Sequence, residues 1–208
     1  MALLHQADLN PTKLELLAAW LPTRAWYPGP AGAELIRVAG YRFDDPDGEV
    51  GIETILVRAG DGPLVQAPLT YRGAPLPGAE AFLIGTTDHS VLGQRWVYDA
   101  CGDPVYVNVL TTVIRTGGRQ AEEFVDMNGE LVPRATPMVV AGNGADDSAP
   151  TVAIARVDEG DPTLIVTDGP ALSIPRVLNG TAATAPGGLT LTGTWPGQAT
   201  PVLLAHCP

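Results

Sequence analysis

The side chains able to do chemistry in this 208-residue chain are few and scattered. A phosphate-binding loop needs glycines to bring backbone amides to the phosphates and a lysine to reach the terminal oxygens. Lys13 is the only lysine and no glycine precedes it, while Gly29-Pro30-Ala31-Gly32 is short, proline-bearing and placed before a strand, as a structural loop would be. Asp88-His89-Ser90 holds the residue types of a hydrolytic relay, yet neighbours on a strand point to opposite faces, and no Gly-x-Ser-x-Gly elbow occurs. His206-Cys207, Cys101 and His89 are soft ligands without metal-ligand spacing. The expectation is no metal and no cofactor, with Cys101 a partly buried thiol before a helix and Cys207 a frayed end. Asp44, Asp45, Asp47, Asp146, Asp147, Asp158, Glu159 and Asp161 all fall among turn-forming residues, where carboxylates bond the backbone, and Asn179-Gly180-Thr181 reads as a turn. Flat aromatic faces with polar tips suit sugars. Trp26, Tyr27, Tyr71, Arg72 and Trp96 are therefore the candidate ligand or partner surface, with core packing as their competing role, shared with Trp20 and Tyr98.

These residues must be positioned by short elements. Asn10-Pro11 before Leu14, Leu17, Ala18 and Leu21, spaced i, i+3, i+4, i+7, predicts a helix over 11–21 with Asn10 as its cap, ended by Pro22. Strands follow over 34–43, 50–58, 64–71, 81–86 and 90–98, the first two joined by the Asp44-Asp45-Pro46-Asp47-Gly48 turn. Asp103-Pro104 and Gly117-Gly118 are start and stop signals for a helix over 104–116, although its β-branched content also fits a buried strand. Alternation in the last of those strands places Gln94, Trp96 and Tyr98 on one face and Arg95 and Val97 on the other. With helices on one side only, Trp96 is expected in the core and Arg95 in solvent. Beyond Gly118 aromatic residues thin out, and short runs over 138–141, 151–157, 163–167, 173–178, 189–193 and 201–205 suit a small sandwich or partial barrel. Two units are expected, 1–118 and 119–208. The fold class is α+β, an antiparallel sheet with one or two packed helices followed by a mostly β half.

Composition narrows the possible partners. Hydrophobic residues at 45% and charged residues at 17% permit a core, and 24 Gly with 20 Pro supply many turns. A net charge of −11 repels phosphate backbones and anionic lipid, so neither nucleic acid nor membrane is an expected partner. The start has no basic stretch, and the apolar run over 14–21 is far shorter than the ~20 residues that span a bilayer. A cytoplasmic, soluble protein with two unpaired thiols is expected.

One stretch resembles a known family. Trp20-Leu21-Pro22-Thr23-Arg24-Ala25-Trp26-Tyr27 looks like the W-(L/M)-P-x-x-R-W-(Y/F) opening of the N-terminal cap domain of actinobacterial maltokinases and related aminosugar kinases, departing from it by the Ala25 between Arg24 and Trp26. Glu53-Thr54-Ile55-Leu56-Val57, Ala67-Pro68-Leu69-Thr70-Tyr71-Arg72-Gly73, Ile84-Gly85, Trp96-Val97-Tyr98-Asp99-Ala100 and Asp103-Pro104 are similar to the strands that follow in the cap. The resemblance covers about 14–118 and is closest to stand-alone cap-like proteins of actinobacteria. It implies a cap fold without the kinase's ATP-binding and catalytic lobes. The function implied is a non-catalytic interaction or regulatory module, with an unknown protein partner or a second copy, in the setting of α-glucan, trehalose or sugar-kinase metabolism. A sugar-binding protein or unrecognised enzyme using the aromatic platform is the alternative.

Overall fold

A computed structural model describes residues 2–4, 8–127, 130–134, 138–179 and 187–208. Two short strands, β1 (Ala2–Leu4) and β2 (Leu9–Asn10), precede helix α1 (Lys13–Trp20). Three nine-residue strands follow, β3 (Leu35–Phe43), β4 (Gly51–Ala59) and β5 (Leu64–Arg72), then β6 (Leu83–His89), β7 (Gly93–Asp99) and helix α2 (Pro104–Thr116). The remainder is β8 (Glu123–Met127), β9 (Glu130–Arg134), β10 (Val139–Gly142), β11 (Ile154–Asp158), β12 (Thr163–Thr167), β13 (Leu172–Ile174), β14 (Val177–Leu178), β15 (Leu189–Trp195) and β16 (Gln198–Cys207). The architecture is mostly β with two helices among the described residues, further towards β than the expected α+β balance. None of its helices is long and apolar enough to cross a membrane.

The larger sheet runs β2-β6-β7-β5-β4-β3, all antiparallel. A second runs β10-β15-β16-β13-β12-β11, and a third β1-β8-β9. Strand β5 is shared along one edge: Leu69–Arg72 pair with β7, while Leu64 and Val65 pair with β14 from late in the chain.

Helix α1 begins two residues later than the Asn10-Pro11 signal predicts. Asn10 instead pairs with Asp88 in the sheet, and Thr12 and Glu15 form a capping box, the Glu15 amide donating to Thr12 Oγ1 at 3.3 Å and the Thr12 amide to Glu15 Oε2 at 2.7 Å. Leu16, Leu17, Trp20 and Leu21 then pack on Ile55, Val57, Val65, Ala67, Leu69 and Val97. Helix α2 has the predicted bounds, with Asp103 as N-cap, Pro104 in the first turn and Gly117 left-handed at φ 68°. Its β-branched residues are tolerated because Val107, Thr111 and Ile114 are fully buried, which outweighs their weak helix propensity.

The two helices cover opposite faces of the larger sheet. α1 lies over Ile55, Val57, Val65 and Leu69, and α2 shares a cluster with Ala39, Tyr41, Phe43, Ile52 and Leu56. This overturns the one-sided packing expected for Trp96. Val97 is 1% exposed and Tyr98 2%, each in its own face's interior, while Trp96 is half-buried and in neither apolar cluster. Arg95 is half-buried as well, donating to the Leu92 carbonyl at 2.8 Å. The physical reason is legible in β4, where residues 52–57 are all buried, the continuous run of a strand covered on both sides.

The α2 cluster continues into Met138, just before β10, and into Val140, Ile165, Leu172, Leu191 and Leu204 of the second sheet, so one apolar core extends across Gly118. Segment 142–146 runs along the end of α2 and satisfies its last carbonyls: the Gly144 amide donates to Ile114 O at 2.9 Å and the Asp146 amide to Arg115 O at 3.0 Å. Glycine is required there, since a Cβ on Gly144 would stand 2.0 Å from the Arg115 carbonyl oxygen. Cys207, expected to fray, is 2% exposed in β16. Cys101 is fully buried, and both cysteines are free thiols.

Candidate functional site

On the α1 face, four side chains converge on one buried carboxylate. Glu53 sits mid-strand on β4, opposite Arg42 of β3, and is 1% exposed. Lys13 in the first turn of α1 reaches Glu53 Oε2 at 2.5 Å, Arg42 Nη2 reaches the same oxygen at 3.0 Å, and Arg37 Nη1 reaches Oε1 at 3.0 Å. The Tyr71 hydroxyl donates to Oε2 at 3.2 Å, with the Lys13 ammonium 4.8 Å from the centre of its ring. Burial alone would push the Glu53 carboxyl up; Lys13, Arg42 and Arg37 more than offset this and hold it well below the usual carboxylate range. Burial lowers the Lys13 ammonium and Glu53 restores part of the loss. Burial and then Glu53 raise the Tyr71 hydroxyl. A carboxylate held ionised and saturated with donors fastens α1 to the sheet and has no proton to give near neutrality.

Two further buried carboxylates, Asp103 and Asp99, are each paired with an arginine. Arg72 grips Asp103 with two bonds of 2.7 Å, which raises the guanidinium pKa, and Asp103 also accepts from Thr70 Oγ1 at 2.8 Å and caps α2 through the Val105 amide at 2.9 Å. Arg176, 0% exposed, donates to Asp99 Oδ2 and to Thr163 Oγ1 at 2.7 Å each, and to Cys101 Sγ at 3.1 Å. Burial works against its charge, but Asp99 and then Cys101 outweigh it, so its pKa is raised. Burial also pushes the Cys101 thiol well up.

The five candidate surface residues are divided between faces. Trp26, Tyr27 and Tyr71 pack against the α1 cluster. Arg72 and Trp96 are register partners on the opposite face, beside the Thr70–Tyr98 pair. Trp26 stacks edge-on to Trp20 at 5.9 Å and carries the Arg176 guanidinium 4.9 Å above its ring. Arg24 lies 5.4 Å over Trp20, and its Nη1 donates to both Glu159 oxygens at 3.2 and 3.1 Å. The Tyr98 hydroxyl accepts from the Leu76 amide at 2.8 Å. His89 Nδ1 accepts from the Val91 and Leu92 amides, and Ser90 Oγ from the Asp8 amide, so both side chains bind turn and strand backbone.

Sequence reasoning missed a groove of about 740 Å³ along α2. Val105, Val109 and Val113 give it an apolar floor with Phe43, and its walls come from residues 44–47, 119–122 and 149–151. The Asp45 carboxylate was correctly read as a turn-former: it accepts from the amides of Asp47, Glu49 and Val50 at 3.1, 3.0 and 2.8 Å. That the turn walls a groove depends on three segments distant in sequence meeting, which no local pattern signals.

Residues 20–103 match the family model of the maltokinase N-terminal cap domain. The cap segment runs from the last residue of α1 to the N-cap of α2 and is well under half of the chain. No curated protein matches the chain. Within the cap segment lie Glu53, Asp99 and Asp103, whereas two of their cationic partners, Lys13 and Arg176, lie outside it.

Proposed function

We propose that the chain is a non-catalytic, cap-like interaction module acting through a protein partner or a second copy, in the setting of α-glucan or sugar-kinase metabolism that the cap match suggests. One observation carries this reading: the buried carboxylates of the cap segment, the natural candidates for acid–base or metal chemistry, are each committed to cations that fasten structure. Glu53 fastens α1, Asp103 caps α2 while gripped by Arg72, and Asp99 ties in the second half through Arg176. Sugar binding on a shared aromatic platform would need Tyr71 and Trp96 on one surface, and their register places them on opposite faces.

The test has two arms on the purified chain. Incubation with ATP and maltose, glucosamine or glucose is expected to give no sugar phosphate above a no-protein blank. Affinity capture followed by reconstitution with the purified captured protein is expected to give a saturable complex. Phosphorylation of any of these sugars overturns the reading.

A further inference from the structure

We infer that the groove along α2 receives a short, extended segment of a protein partner that alternates aliphatic with lysine or arginine residues. This rests on the interaction-module reading and gives it a surface. The shape favours a peptide: the lining residues of α2 run from Pro104 to Val113, nine steps of helix or about 14 Å, the length of about four residues of extended chain. The floor is aliphatic and aromatic through Phe43, Val105, Val109 and Val113.

The rim decides the sign of the partner. Asp44, Asp45, Asp47 and Glu122 line the groove against a single arginine, Arg119, a formal charge of −3 on an already acidic chain. An extended segment has a period of two, so aliphatic side chains directed at the floor alternate with cationic ones, which reach the carboxylate rim with their stems on apolar surface. Two of the three wall segments are fixed in advance. The Asp45 carboxylate holds the acidic turn through three backbone amides, and Asn108 ties the 149–151 wall to α2, its amide donating to Val152 O at 3.0 Å and its Oδ1 accepting from the Val152 amide at 2.8 Å. A groove that need not reorganise loses less on binding.

The test titrates the isotope-labelled full chain with acetylated Leu-Lys-Leu-Lys-Leu-Lys amide and follows backbone amide resonances. Shifts are expected at Asn108, Thr112, Gln120, Ala121 and Thr151. The double variant Asp47→Asn/Glu122→Gln is expected to weaken binding about tenfold, while Glu34→Gln/Asp61→Asn, which removes equal charge from exposed sites outside the groove, leaves it unchanged. The inference is overturned by equal losses in the two variants, by shifts centred elsewhere, by equal binding of the Leu-Glu hexapeptide, or by no binding at about 1 mM peptide. Binding of 1-aminohexane at the same amides as tightly as the hexapeptide overturns the assignment to a protein partner. Each of these outcomes leaves the interaction-module reading standing, since that reading fails on sugar phosphorylation.

Discussion

Replacing Glu53 with Gln removes one charge from a cluster in which three cations face a single buried carboxylate. The amide keeps the shape, so packing is nearly constant, but Lys13, Arg37 and Arg42 then confront one another without their central counter-charge. Removing one member of a buried ion pair costs about 3–5 kcal/mol. At about 2–4 °C per kcal/mol for a chain of this length, Glu53→Gln should melt about 6–20 °C below wild type at pH 7. The pH dependence gives a second, sharper readout. The folded-state pKa of Glu53 lies below its unfolded value of about 4.5, so its contribution is fully present above pH 4.5 and is lost as pH falls from there towards the folded value. The gap between wild type and variant should therefore shrink as pH falls below 4.5. Lys13 works in the opposite window: its folded pKa is lowered, so between that value and its unfolded 10.5 the unfolded chain binds the extra proton and stability rises with pH. The variant, whose Lys13 has lost its counter-ion, should regain stability at alkaline pH more steeply than wild type. Calorimetric melts from pH 3.5 to 10 decide it; an unchanged midpoint at pH 7, or a gap constant from pH 7 to 3.5, refutes the reasoning.

Three further outcomes are expected. Arg176→Met strands Asp99 in the interior and should cost about 3–5 kcal/mol, whereas Arg176→Met/Asp99→Leu should recover at least half of that in denaturant titration; simple additivity would show that the pair is not coupled. Residues 1–118 expressed alone should lack a sharp cooperative melt, because the core around α2 continues into Met138, Ile165 and Leu191; a fragment melting sharply near the whole chain would establish two independent units. Burial raises both thiols, so neither Cys101 nor Cys207 should react with a disulfide reagent at pH 7 until denaturant is added, and prompt labelling of the native chain would show that β16 opens readily.

What was legible in the sequence was local. Asp103-Pro104 and Gly117 set the bounds of α2 because capping is decided within four residues. The predicted strands of the first half match β3 to β7 to within a few residues, since turn chemistry marks their ends. Where two local signals competed, the weaker one was read: Asn10-Pro11 promised a cap, but the Thr12–Glu15 box was available and Asn10 was needed by β2. The hairpin of β8 and β9 was missed although Asn128-Gly129, the dipeptide that best signals a tight turn, stands between its strands. The Asn179-Gly180-Thr181 turn lies partly outside the described residues. Of the site, the types of the important side chains were visible and their partners were not. Glu53 is 40 residues from Lys13 and Asp99 is 77 from Arg176, separations that only tertiary folding closes.

Sharing of the β5 edge has a consequence for grafting. The cap segment ends at residue 103, but the backbone of Leu64 and Val65 is paired with β14, and the Gln66 amide donates to the Arg176 carbonyl at 2.8 Å. Cut at the ends of the match and moved into another protein, the segment would present that stretch of β5 as an open, apolar strand edge, the kind of surface on which unrelated chains zip together. A host protein that carries this segment in monomeric form has to bring a short strand of its own to Leu64 and Val65, and a cation to Asp99.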